Sequence, residues 1–184
     1  MTFKYYTMMG SRNIPENARV DLIKVSRSLH DMGCIGRSGG GGSGADECME
    51  EGHNRGVLEN CNIYLPWDGF NGKWSSDRGY INTPELKNYQ EAYNIAEKLH
   101  PNWEACSKGV KALHVRNVYQ ILGNDLASPS SLVLCYERSA YTYRVGEVVG
   151  SKALAVRLAL DINVPVYNFL HNTTIRHEWE SIRR

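Results

Sequence analysis

The sequence predicts an α/β fold: a Rossmann-like, doubly wound, mainly parallel five-stranded sheet with helices on both faces. Three observations predict it. Short apolar runs alternate with helix-period segments in the order β-α-β-α-β-(α-α)-β-α-β, the pattern of linked βαβ units. The strand segments are continuous apolar runs, as expected where both sheet faces are covered. The chain has 184 residues, 42% hydrophobic and 22% charged, enough for one domain with a substantial core and too few for two ordinary ones.

The elements follow in order. "FKYYTMMG" is β-prone and ends at a glycine. In "NIPENARVDLIKVSRSLHDMG", Ala18, Leu22, Val25, Leu29 and Met32 recur at helical spacing. Pro15 suits the first turn of that helix, and Gly33 suits the position just past its end. "CIGRS" is a short second strand, and after a glycine run "ADECMEEGHNRG" reads as a short helix. "NIYLPW" is a third strand, stopped by Pro66. Residues 68–82 read as a loop that carries Phe70, Trp74 and Tyr80. Thr83-Pro84 then suits an N-cap and first-turn proline, ahead of a helix with Tyr89, Ala92, Tyr93, Ala96 and Leu99 on one face. A second helix is expected over residues 105–122, stopped by Gly123. "SLVLCYE" is a fourth strand. A loop over 138–146 leads to a helix holding Leu154, Leu158 and Ala159, and "VPVYNF" is a fifth strand. The predicted domain is residues 1–170, with 171–184 a polar helix or tail and a candidate homo-oligomer contact.

The net charge of +1 supplies no global field toward nucleic acid, so any such contact must come from a local patch. Five cysteines without a C-x-x-C pair are expected as reduced, buried thiols. The N-terminus lacks an apolar run for a signal peptide, and no 18-residue apolar stretch occurs. The expectation is a soluble, cytoplasmic protein with no membrane partner. The histidines are scattered in sequence, and no metal site or cofactor is implied.

In open α/β sheets, ligands bind beyond the carboxyl ends of the strands, near the point where strand order reverses. Gly10-Ser11-Arg12 follows the first strand, and "RSGGGGSGAD", from Arg37 to Asp46, follows the second. Glycines let backbone approach an anion closely, and a following helix N-terminus adds free N–H groups and partial positive charge. Arg12 and Arg37 are bidentate phosphate candidates, and Ser11, Ser38 and Ser43 add hydroxyls. No Walker A lysine follows the glycines, and the run follows the second strand, so neither a P-loop nor a dinucleotide fingerprint is present. A flexible linker is the competing explanation of the run, but linkers join separate units, and this one lies between an adjacent strand and helix.

These motifs resemble the SLOG superfamily (DprA/SMF–LOG), and most closely the short DprA-like proteins common in phage and bacterial genomes. The resemblance rests on Gly10-Ser11-Arg12 with Pro15, Arg37-Ser38-Gly39-Gly40 and Gly44-Ala45-Asp46. It continues with Tyr64-Leu65-Pro66-Trp67, Gly69-Phe70-Asn71, His100-Pro101, Arg116-Asn117, Gln120 and Leu122-Gly123. The ordered set spans about residues 5 to 170. It implies a Rossmann-like nucleotide-binding domain whose phosphate-bearing ligand is a free nucleotide or single-stranded DNA. The family's "GGTG.A.R.A" segment here reads "VGSKALAVRLA", Val149–Ala159, and the "PGGxGTxxE" motif of the cytokinin-activating LOG hydrolases is absent.

The nucleotide- and phosphate-binding candidates are therefore Gly10, Ser11, Arg12, Arg37, Ser38, Gly39, Gly40, Ser43, Gly44, Arg116, Gly150, Ser151 and Lys152. Tyr64, Trp67 and Phe70, around the third strand end, are candidates for stacking on bases. Whether the site is also an enzyme is left open by these residues. An N-glycoside hydrolase or transferase acting on nucleoside monophosphates needs a carboxylate at the anomeric carbon, and Asp46, Glu50 and Glu147 are the catalytic candidates. A module that sequesters or senses a signalling nucleotide needs the pocket alone.

Overall fold

Alternate side chains of each strand go to opposite helical layers, and this sets the architecture. The computed structural model describes residues 4–54, 56–137 and 151–174. Strands β1 (Tyr5–Gly10), β2 (Ile35–Ser38), β3 (Cys61–Leu65), β4 (Tyr80–Asn82), β5 (Leu132–Tyr136), β6 (Val166–Asn168) and β7 (Thr173–Thr174) form one sheet in the order β4-β3-β2-β1-β5-β6-β7. All neighbours pair in parallel except β6 and β7. The helices are α1 (Glu16–Asp31), α2 (Ala45–His53), α3 (Tyr89–Leu99), α4 (Lys108–Leu122) and α5 (Ser151–Asp161).

Met9, Tyr64, Val133, Cys135 and Val166 pack with buried residues of α3, α4 and α5, among them Ala92, Ala96, Val115, Val118, Leu154 and Leu158. Tyr6, Met8, Ile63, Leu65 and Leu134 pack on the other face with Leu22 of α1 and Ala45, Cys48 and Met49 of α2. The predicted doubly wound class is thus observed, with six parallel strands where five were expected. β4 lies in the segment read as a loop. Its three residues are all half-buried, and so short an edge strand leaves no apolar run to detect. β7 extends the sheet into the stretch expected as tail.

Two helix starts also shift. Thr83-Pro84 opens only a 3-10 turn, Thr83–Glu85, in which buried Thr83 donates its hydroxyl to the Leu65 carbonyl at 2.8 Å. Residues 105–107 precede α4, whose N-cap is Ser107, its Oγ accepting from the Val110 N–H at 3.4 Å. No described helix is long and apolar enough to cross a membrane. Cys34, Cys48, Cys61 and Cys135 are buried and Cys106 is half-exposed, and none of the five is in a disulfide among the described residues.

Strand order reverses at β1. β2, β3 and β4 lie on one side of it, and β5 and β6 on the other. The crevice at a topological switch point therefore opens beyond Gly10 of β1 and Tyr136 of β5.

Candidate functional site

Gly10 closes β1 with φ 155°, and a Cβ there would lie 2.5 Å from the Tyr136 carbonyl oxygen. The next amide, Ser11 N–H, donates to that carbonyl at 2.8 Å, and the Ser11 carbonyl accepts from Ala45 N–H at 3.4 Å. This last bond ties the loop after β1 to the start of α2. Gly44 sits between them with φ 79°, and a Cβ on it would overlap the Ser11 carbonyl. The two glycine motifs expected to share a crevice are thus in contact.

The glycine run is held from outside. Arg116 donates from Nη1 to the Gly39 carbonyl, Asn71 from Nδ2 to the Gly40 carbonyl (3.0 Å), and Lys73 from Nζ to the Gly41 carbonyl (3.1 Å). The Gly41 N–H donates to Asp46 Oδ2 at 3.2 Å. Three consecutive carbonyls are each met by a different side chain, so the run is a fixed loop and not a linker. A side chain here would displace the groups that hold the loop. A Cβ on Gly39 would overlap the Arg116 guanidinium, and one on Gly41 would stand 2.7 Å from Asp46 Oδ2.

Gly10, Arg12, Gly41, Ser43, Asp46, Phe70, Leu113, Arg116 and Lys152 line a cleft of about 70 Å³. Lys152, in the first turn of α5, donates to both carboxylate oxygens of Asp46, at 3.1 and 2.9 Å. Burial pulls the Lys152 ammonium below its ordinary value, with Asp46 opposing the shift. Arg116 is 3% exposed and forms no ion pair among the described residues, and its Nε is buried without a hydrogen-bond partner. Burial brings it down to about 10, against the pull of Asp46. Arg12 is exposed at the rim. Three cations thus meet one carboxylate, which is already shared between Lys152 and the Gly41 amide.

Other expected site residues lie elsewhere. Arg37 does not enter the cleft. On β2, Gly36 faces Met49 and His53 of α2, so Arg37 falls on the α4 face, where it is 1% exposed. There its Nη1 donates to the carbonyls of Ser128 (2.7 Å) and Ile121 (3.4 Å) and to Ser130 Oγ (3.2 Å), and its guanidinium lies 4.0 Å from the Tyr5 ring centroid. These partners stand toward the amino ends of the strands. Ser38 is buried, its Oγ without a hydrogen-bond partner. Gly40 turns with φ 66° against Leu65.

Glu50 is committed too. Its Oε1 pairs with Lys73 Nζ at 2.5 Å, and its Oε2 accepts from Tyr80 Oη at 3.0 Å. Burial raises this carboxyl above its ordinary range, with Lys73 the main opposing influence. Glu147 and Gly150 lie outside the described residues, and Ser151 opens α5. Tyr64 is fully buried and stacks on Tyr119, ring centroids 5.9 Å apart. Phe70 lines the cleft, and Trp67, 42% exposed, meets it edge-on at 5.0 Å.

Sequence order did not single out Lys73, which no recognisable spacing ties to the glycines. Asn71 could have been found, since it belongs to the Gly69-Phe70-Asn71 motif. A second, larger cleft of about 720 Å³ was also unforeseen; its lining includes Trp67, Tyr89, Tyr93, Cys106, Lys108 and Lys111. The two clefts are neighbours. Leu113 and Arg116 of α4 line the small one, Lys108 and Ala112 the large one, and the Trp67–Phe70 contact joins them. The scattered histidines also gain company, as His100, Cys106 and His114 converge in the α3–α4 corner.

No family model and no curated protein matches the sequence. A solved structure of DNA processing protein A from Helicobacter pylori, described for its single-stranded DNA binding mode, is similar with a TM-score of 0.54 at 14% identity. The match covers 98% of this chain and 73% of that one. The likeness shows a shared fold.

Proposed function

We propose that the crevice beyond β1 binds the phosphate of a nucleotide, and that its ligand is single-stranded DNA. The observation that carries the reading is Arg116, a buried guanidinium with one backbone acceptor and no ion pair among the described residues, beside Lys152 and Arg12. A buried cation without an anion is costly, and a bound phosphate would supply the missing charge-assisted hydrogen bonds.

The shape favours a polymer over a free nucleotide. Pockets that enclose small molecules hold about 300–1,000 Å³, and a cleft of about 70 Å³ takes only part of one. The larger cleft next to it offers Trp67, Tyr89 and Tyr93 as apolar surface and Lys108 and Lys111 as cations. Aromatic faces beside a cationic groove are how single strands are held without sequence preference. The fold shared with a protein described as binding single-stranded DNA supports the same ligand class. The binding domain in this proposal is residues 1–170, with Thr173–Thr174 added at the sheet edge. The hydrolase alternative draws no support from Asp46 and Glu50, whose carboxylates are both held by lysines.

Fluorescence anisotropy with a labelled oligodeoxythymidine tests the reading. Affinity should fall linearly on a log–log plot against salt. Arg116→Met should weaken binding by about tenfold and flatten that slope by about one. Wild-type protein that binds neither the oligomer nor nucleoside monophosphates would end the proposal. Binding of the monophosphate alone would replace DNA with a free nucleotide.

A further inference from the structure

The α3–α4 corner carries chemistry that the phosphate crevice does not use. His100 follows the last residue of α3, Cys106 precedes the N-cap of α4, and His114 lies in the second turn of α4. One ligand atom from each lies within 4.8 Å of the others. Cys106 Sγ stands 3.8 Å from Nδ1 and 3.7 Å from Nε2 of His100, and the two imidazole centroids are 4.6 Å apart. His114 is 2% exposed, and its Nδ1 is buried without a hydrogen-bond partner. An unpartnered nitrogen in a buried ring is unfavourable unless something else binds there.

We propose that His100, Cys106 and His114 form a zinc site. Bond lengths of about 2.3 Å to sulfur and 2.0–2.1 Å to nitrogen place tetrahedral ligand atoms about 3.3–3.6 Å apart. The Cys106–His100 separation is already close to this, and the 4.8 Å bound on the set leaves at most about 1.5 Å for side-chain rotation to close. One thiolate and two imidazoles are a borderline-soft set suited to Zn²⁺, and hard cations such as Mg²⁺ or Ca²⁺ want oxygen. Three protein ligands leave a fourth position for water or a ligand group, the arrangement of catalytic rather than closed structural zinc. Cys106 also lines the large cleft, which gives the ion a path in.

Loading has a structural consequence. His100 Nδ1 accepts from Asn102 N–H at 3.2 Å. A neutral imidazole has one lone pair in its ring plane, so coordination through either nitrogen ends that bond and the Pro101–Asn102 turn must readjust. Binding also releases the thiol proton to solvent, so affinity should rise with pH. The ion would join the end of α3 to the start of α4.

Cobalt is the spectroscopic probe. Reduced, chelator-stripped protein titrated with Co²⁺ should develop tetrahedral d–d bands and a thiolate-to-cobalt charge-transfer band, saturating at one ion per chain and bleached by Zn²⁺. Cys106→Ser should abolish the charge-transfer band and lower Zn²⁺ affinity by more than about 100-fold, beyond the cost of outer-shell changes. Cys61→Ser, at the most exposed of the four buried cysteines, should change neither. His114→Asn should weaken binding similarly. Because His114 is buried and its variant is at risk of not folding, the wild-type spectrum and the half-exposed Cys106 carry the decision. Absence of the charge-transfer band in wild type, or its persistence in Cys106→Ser, would overturn the site.

Discussion

Two buried arginines sit on the same side of the sheet and do different work. Arg37, within the glycine-rich motif, turns toward the amino ends of the strands, and its Nη1 is met by two carbonyls and a hydroxyl. Arg116, in the middle of α4, lies at the carboxyl ends and holds one carbonyl; the Nε of each arginine is buried without a hydrogen-bond partner. The first cross-links α4 to the segment before β5, and the second lines the crevice with Asp46, Lys152 and Arg12. Proximity to a motif is therefore a poor guide to an arginine's role, and the inventory of its acceptors is a better one.

That contrast is sharpest in a pair of substitutions. Arg37→Met leaves the Ser128 carbonyl without its donor, while the Ile121 carbonyl keeps the Ser130 N–H and Ser130 Oγ keeps Thr7 and the Gln120 carbonyl; it should cost about 1–3 kcal/mol in urea denaturation, while the folded fraction keeps its DNA affinity. Arg116→Met should cost less, since loss of the Gly39 hydrogen bond is offset by removing a buried charge that has no ion pair among the described residues, while affinity drops. Equal stability losses in the two variants would erase the distinction between them.

A glycine substitution probes the same boundary from the backbone side. Gly39→Ala should push the Arg116 guanidinium off its carbonyl, costing about 1–3 kcal/mol by overpacking and reducing DNA affinity with it. Unchanged affinity would show that the guanidinium works without this anchor.

A smaller effect is expected at the Lys73–Glu50 pair that braces Gly41. The Glu50 carboxyl is already raised by burial, and Lys73 is the main influence holding it down. Lys73→Met should move it further up, so that Glu50 takes its proton at higher pH than in wild type. Carboxyl-carbon NMR titration reads the change directly, and a downward shift would contradict the pairing. The smallest effect belongs to Trp67, exposed and touching the core through its edge-on contact with Phe70. Trp67→Ala should cost about 1 kcal/mol of single-strand affinity and, through the lost Phe70 contact, about 0.5–1 kcal/mol in stability.

Much of the fold was legible in the sequence because its signals are local. Apolar runs marked β1, β2, β3, β5 and β6, and helical spacing with Pro15, Gly33 and Gly123 bracketed α1 and ended α4. β4 and β7 escaped because strands of three and two residues carry no pattern of their own and exist through pairing with a neighbour. The site was half legible. Gly10, Ser43, Asp46, Arg116 and Lys152 do line one cleft, as their motifs implied. Tyr64 went to the core because strand alternation turns it toward Tyr119, and alternation likewise put Arg37 on the α4 face, where its side chain runs to Ile121, Ser128 and Ser130 and not to the crevice.

By itself the sequence determined the α/β class, the parallel sheet and the meeting of two glycine turns, since each follows from residue type and order along the chain. Only the tertiary structure decided which cations face the crevice, that Lys73 and Asn71 brace the glycines, and that His100, Cys106 and His114 come together. Those outcomes depend on which face a strand presents and how α3 folds back against α4. Both are properties of packing between segments far apart in the chain, and no local spacing encodes them.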